Sequence, residues 1–296
     1  MACEKPKLAN YRSPKDPQQD RSFLAVQIKG TPGPDAHKVA LLRHAGYPVA
    51  VLGFPRAVVL STYMQFMHYV VFGLAYFRGM NFAAAPAVEL SKDIAARIHG
   101  DAQKAGGVRQ TRAWKSMAAS PHQARCGPLT LHHHGIPFDG GCQPANAAEI
   151  YAAILKHLAG QRRIEYAELT FFGDTRYSPA GKAARKILEH AAERVFGARL
   201  KMPSDVYEGP AANHCYSDTI TGNGRCFSTL LVSARQEEFP AARATGDYHL
   251  AQYLGTIEAL AGRGRPVVAI VLEDLGPASL RTLDEFFHRV AAFLRH

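Results

Sequence analysis

The sequence predicts an α/β protein: a doubly wound, mainly parallel sheet flanked by helices in three layers. Two observations lead there. Short apolar runs of strand length alternate with longer amphipathic segments along most of the chain. The first of them, FLAVQI (Phe23 to Ile28), a helix-like Pro34 to Ala45 and PVAVLGF (Pro48 to Phe54), form strand, helix and strand in the compass of one parallel βαβ unit. With 296 residues, 47% of them hydrophobic, the chain has ample material for a large core.

The remaining elements follow in order. Met1 to Asp20 is polar with three prolines, so residues 1–22 read as a tail or truncated linker and 23–296 as one α/β domain. Val58 to Phe77 includes the most apolar run, YMQFMHYVVFGLAYF, which is too short to span a bilayer and contains Gln65 and His68; it reads as a buried helix. Ala87 to His99 is an amphipathic helix entered through Pro86, with Glu89 placed early as the helix dipole favours. Ala105 to Ala124, rich in Gly, Gln, Ser and Arg, reads as a long surface connection, giving an insertion at about 105–128. LTLHHHG (Leu129 to Gly135) leads into a Gly/Pro/Cys loop. Then come a helix at Ala147 to Leu158, a strand at Ala167 to Phe172 and a basic helix at Ala180 to Phe196. A strand at Phe227 to Ser233, a helix at Tyr248 to Ala261, a strand at Val267 to Leu272 and a helix at Leu280 to Leu294 close the chain.

Composition narrows the function classes. Lys plus Arg number 35 against 25 Asp plus Glu, a formal charge of +10, which favours anionic partners. The basic residues are spread out, without interleaved aromatics, so a phosphorylated small molecule fits better than nucleic acid. Five widely spaced cysteines without a C-x-x-C pair, and a polar N-terminus without an apolar h-region, fit a reducing cytoplasm.

The stretch between Leu200 and the Phe227 strand is the richest in chemistry. DVYEGPAANHCYSDTITGNG (Asp205 to Gly224) combines Glu208, a Gly-Pro turn, Asn213, His214, the hydroxyls of Ser217, Thr219 and Thr221, and a turn at Gly222. In a doubly wound sheet such a loop belongs at the carboxyl ends of the strands, where ligands bind. A surface turn with a satisfied histidine is the bland alternative. A second candidate is GDTRYS (Gly173 to Ser178): it follows a strand and precedes a helix whose N-terminal amides could take a phosphate.

MNFAAAPAVELSK (Met80 to Lys92) resembles the active-site signature I-N-x-F-D-Q-x-x-V-E-x-x-K of the phosphoglucose isomerase family, with Asn81, Val88, Glu89 and Lys92 at matching places. HLAQYLGTIEAL (His249 to Leu260) similarly resembles that family's L-A-x-x-x-A-x-T-E-A-L helix. Gly209, Pro210 and His214 match the G-P-x-x-x-H loop of bacterial transaldolase/phosphoglucose isomerase fusions. The resemblance implies a sugar-isomerase (SIS) fold and interconversion of glucose 6-phosphate and fructose 6-phosphate through an enediol, without metal or organic cofactor. It implies Glu208 as the base and His214 as the ring-opening acid/base, with Lys92 stabilising developing negative charge. Asn81, Asn213, Ser217, Thr219, Thr221 and Gly222 are the implied substrate contacts. A homodimer, or a partner SIS or transaldolase domain, is the implied assembly. The sequence departs from the pattern in two ways. Ala83-Ala84-Ala85 stand where the family has F-D-Q, and no clear Ser/Thr-rich phosphate loop is present. Both departures favour the alternative of a non-catalytic phosphosugar-binding module or a half-enzyme completed by another chain.

His132, His133 and His134, with Cys126 and Cys142 nearby, raise a zinc site as a third hypothesis. Neighbouring residues on a strand point to opposite faces, so three adjacent histidines do not converge on one ion.

Overall fold

The computed structural model describes residues 22–30, 36–57, 60–81, 86–134, 136–138, 146–209, 220–222, 224–235 and 246–295. The contacts divide the chain into two compact units, parting between Ala85 and Pro86.

The first unit holds β1 (Phe23–Ile28), α1 (Ala36–His44), β2 (Val49–Phe54) and α2 (Leu60–Phe77). β1 and β2 pair in parallel from Phe23↔Val49 to Ile28↔Phe54, the expected βαβ unit. Its core is small: Leu42, Ala45 and Tyr47, with Phe23 edge-on to Tyr47 at 5.5 Å. The expectation of a buried α2 is not met. Ala75 is its one buried residue, while Leu60, Tyr69, Leu74, Tyr76 and Phe77 are more than half exposed. A two-stranded sheet offers an apolar helix little surface to cover it.

The second unit is built on a six-stranded sheet. Its elements are α3 (Pro86–Ala105), α4 (Arg112–Ala118), β3 (Gln123–Cys126), β4 (Leu129–His132), α5 (Ala147–Gly160), β5 (Tyr166–Phe172) and α6 (Pro179–Ala191). They are followed by β6 (Ser204–Gly209), β7 (Cys226–Ser233), α7 (Gly246–Gly262), β8 (Val267–Leu272) and α8 (Pro277–Phe293). The strand order is β3-β4-β8-β7-β5-β6. β8, β7, β5 and β6 run parallel, and β4 and β3 add antiparallel at one edge. The unit is therefore α/β with a mostly parallel sheet, as the alternation of elements predicts.

Both sheet faces are covered. Leu169 and Phe171 of β5, Phe227 and Leu231 of β7 and Ile270 of β8 pack with α5, α6 and α8. The opposite set, Phe172, Leu230, Val232 and Ala269, packs with α3, α4 and α7 through Ile98, Met117, Leu250 and Tyr253. Burial of both faces is why β7 reads as an almost unbroken apolar run. α3 and α7 approach so closely at Gly255 that a Cβ there would stand 2.8 Å from Ala95 N and 2.9 Å from Ser91 O.

Two expectations change here. The segment 105–124 is no surface connection: a 3₁₀ turn at Val108–Gln110, α4 and β3 occupy it. Val108 is fully buried, and Thr111 and Met117 are buried with it. Thr111 caps α4, accepting from Trp114 N. The stretch from Asp205 is likewise no loop at its start, since Asp205 to Gly209 belong to β6, paired with β5 from Ala167↔Ser204 to Phe172↔Gly209.

Candidate functional site

β5 is followed by α6 and then β6 on one side of it. β7 returns on the other side and β8 lies beyond it. The order of the parallel strands thus reverses at β5, and the gap beside its carboxyl end is the topological switch point, where doubly wound sheets bind ligands. A cavity of about 380 Å³ lies there. It is lined from four segments: Gly173, Asp174 and Ser178 after β5, Arg235 after β7, His249 on the first turn of α7, and Asp274 and Gly276 between β8 and α8.

Glu208, the penultimate residue of β6, reaches the same edge, with its side chain 29% exposed. Thr175 N donates to its Oε2 at 3.3 Å, the Thr175 hydroxyl donates to the same oxygen, and Arg176 Nε stands 3.3 Å away. All three partners lie on Oε2. Among the described residues Oε1 is left without a donor, so one oxygen is anchored and the other can take a proton.

His249 stands close enough to feel Glu208. Burial lowers its pKa below 6.5, and the charge of Glu208 opposes that lowering. The imidazole is therefore neutral at pH 7. Its Nδ1 is buried without a hydrogen-bond partner among the described residues. A buried, unpartnered imidazole nitrogen beside a ligand-sized cavity and an anchored carboxylate is a candidate acid/base pair.

The loops around the cavity are held by their own carboxylates. Burial works to raise the pKa of Asp174, but the amides of Ser178, Arg176 and Tyr177 donate to it and hold it below the ordinary value. Asp274 is held low by the Ser279 hydroxyl and the Gly276 amide. The loop Gly173 to Ser178 thus differs from the expected phosphate cradle: the amides before α6 already serve a carboxylate of the chain. Among the described residues, Arg176 and Arg235 bring cations to this edge. Arg235 lies 3.8 Å from Asp274 and is 78% exposed, so its guanidinium is open to a ligand.

The other sequence candidates are distributed differently. Lys92 pairs with Glu89 one turn back at 2.9 Å and is 46% exposed. α3 runs antiparallel to α7: Ser91 and Ala95 meet Gly255, His99 stacks edge-on with Tyr248, and Gly107 approaches Asp247. Lys92 therefore stands beside the middle of α7, away from the turn that carries His249. Thr221 and Gly222 belong to a helical turn at 220–222 ahead of β7, where their carbonyls accept from Arg265 at 3.0 and 3.1 Å. That is the amino end of β7, the opposite edge from Glu208, so these two do not join the site. Asn81 belongs to the first unit. His214, Asn213, Ser217 and Thr219 lie outside the described residues.

The sequence reading missed His249, although it opens the helix HLAQYLGTIEAL. A lone histidine on the first turn after a buried strand was its only signal. The histidine run behaves as separate groups. His122 and His133 stack edge-on at 5.3 Å. Burial first, and the neighbouring imidazoles second, lower His132 and His134 to about 4. Among the described residues no group of three His, Cys, Asp or Glu side chains could hold a metal ion. No helix of the described residues is long and apolar enough to cross a membrane.

No protein-family model matches the chain, and no curated protein matches it either. Among solved structures, a hypothetical protein from Thermus thermophilus is similar at 17% identity and a TM-score of 0.35. The match covers 49% of this chain and 39% of that one, so the chain spans well under half the length of that structure.

Proposed function

We propose that the chain is a cytoplasmic aldose–ketose isomerase of SIS-like fold, interconverting glucose 6-phosphate and fructose 6-phosphate. The observation that carries the reading is Glu208: a carboxylate at the switch-point edge, anchored through Oε2 by Thr175 and Arg176, with no donor to Oε1 among the described residues and His249 within its field. Isomerisation through an enediol needs one base that carries a proton between C1 and C2, and a second group that opens and closes the sugar ring. Glu208 Oε1 fills the first role. The neutral imidazole of His249 fills the second on this edge, a role that the family resemblance gives to His214. Arg235 supplies an open guanidinium for the phosphate. The chemistry asks for no metal or organic cofactor, and the net charge of +10 suits a phosphorylated hexose. A homodimer, or a partner SIS or transaldolase domain, completes the proposal.

The test is a coupled assay of fructose 6-phosphate conversion on the wild type and Glu208→Gln. Loss of turnover by ~10²–10⁴-fold in the variant supports Glu208 as base; equal turnover removes it.

A non-catalytic phosphosugar-binding module is the second reading. It is favoured by Lys92, which pairs with Glu89 instead of reaching Glu208. It requires saturable sugar-phosphate binding without interconversion.

A further inference from the structure

A second cavity, of about 600 Å³, opens between α3, α4 and α7. That volume lies in the range of small-molecule sites. It shares no lining residue with the switch-point cavity: on α7 its lining runs from Leu254, five residues and about 7.5 Å of helix beyond His249, to Ala261. Its apolar floor is Ile98, Met117, Leu254 and Ile257. The lining also carries two carboxylates, Asp101 and Glu258, and two guanidiniums. That of Arg97 is committed to Glu258 at 2.7 Å. That of Arg112 has no ion-pair partner among the described residues, and Ser116 lies one turn further along the same face of α4.

His134 closes the cavity and also borders a neighbouring one of about 180 Å³ that holds Arg163 and Arg265. Its backbone is left-handed, with φ at 48°, uncommon for a residue other than glycine. Its Nε2 is buried without a partner among the described residues. Such strain and an unsatisfied polar atom concentrate at ligand clamps.

We propose that this groove binds a carboxylate carried on an apolar body, such as a medium-chain or arylalkyl acid. The apolar floor takes the body, and the Arg112 guanidinium, planar and forked, takes the carboxylate. The site is independent of the isomerase reading.

Trp114, the only tryptophan of the chain, lies two residues from Arg112 on α4 and packs against the same hydrophobic cluster as Met117. Its ring packs on that cluster and under Arg109, so its emission follows changes on this face of the unit, and Arg112→Ala assigns a response to the groove. Octanoate titrated into the full chain should change the emission saturably. 1-Octanol should bind at least ~10-fold more weakly, inorganic phosphate should give no change, and Arg112→Ala should weaken octanoate at least ~10-fold. Glu208→Gln should leave the titration unaltered. No saturable response to octanoate, equal affinity for octanol, or equal affinity in Arg112→Ala would each overturn the proposal.

Discussion

Acidification should destabilise the second unit through His132, and the size of the effect can be worked out. His132 ends β4, opposite Ala269 of β8, and is 4% exposed. Burial, reinforced by the charges of His134 and His133, lowers its pKa from 6.5 to about 4. A folded pKa below the unfolded one means that the stabilisation is present above pH 6.5 and is lost as pH falls toward 4. The difference between 6.5 and about 4 corresponds to about 3 kcal/mol, of which about 2 is gone by pH 5. Many carboxylates also titrate over the lower part of this range, so the informative quantity is a difference between two proteins. His132→Leu puts an apolar side chain of similar bulk in this buried place and removes the titration. Urea unfolding followed by far-UV circular dichroism at pH 7 and pH 5 should show the variant losing about 2 kcal/mol less than the wild type. Equal losses in the two proteins would refute the burial argument for this histidine.

Two further expectations concern the site and the helix pair beside it. The charge of Glu208 holds the His249 pKa up against burial, so Glu208→Gln should move the His249 titration in an NMR pH series to still lower pH; an unmoved titration would show that the two groups are not neighbours. Gly255→Ala places a methyl within 2.8–2.9 Å of the α3 backbone. It should cost about 1–3 kcal/mol in urea unfolding, and a neutral result would mean that α3 does not pack there.

Much of the second unit was legible in the sequence. β5, β7 and β8 are short apolar runs bounded by turn residues, because both faces of the sheet are buried. β6 was not legible. SDVYEG is an edge strand carrying Asp205 and Glu208, and its pairing is supplied by β5, not by its own composition. The segment 105–124 misled for a related reason: its Gly, Ser and Arg content describes the solvent side, while Val108 and Met117 anchor it inward. α2 misled in the opposite direction, since its apolar composition promises burial that the two-stranded unit does not provide. In the candidate site, Glu208 was visible as a carboxylate ending in a Gly-Pro turn. Thr221 and Gly222 share its sequence neighbourhood but not its place. Gly209 ends β6 at the carboxyl edge of the sheet while Ile220 stands ahead of β7 at the amino edge, so closeness in sequence is a poor guide there. Thr175, Arg235 and His249 come from three other connections, and only the strand order brings them to one edge.

The most direct test of the central claim is to follow fructose 6-phosphate by proton NMR in deuterium oxide with the purified chain and with Glu208→Gln. Wild-type protein should convert it to glucose 6-phosphate, with deuterium entering the carbon that exchanges its proton through the enediol. Both conversion and exchange should fall by ~10²-fold or more in the variant. Conversion and exchange that persist undiminished in Glu208→Gln, or a wild type that binds the sugar phosphate without exchanging any proton, would contradict it.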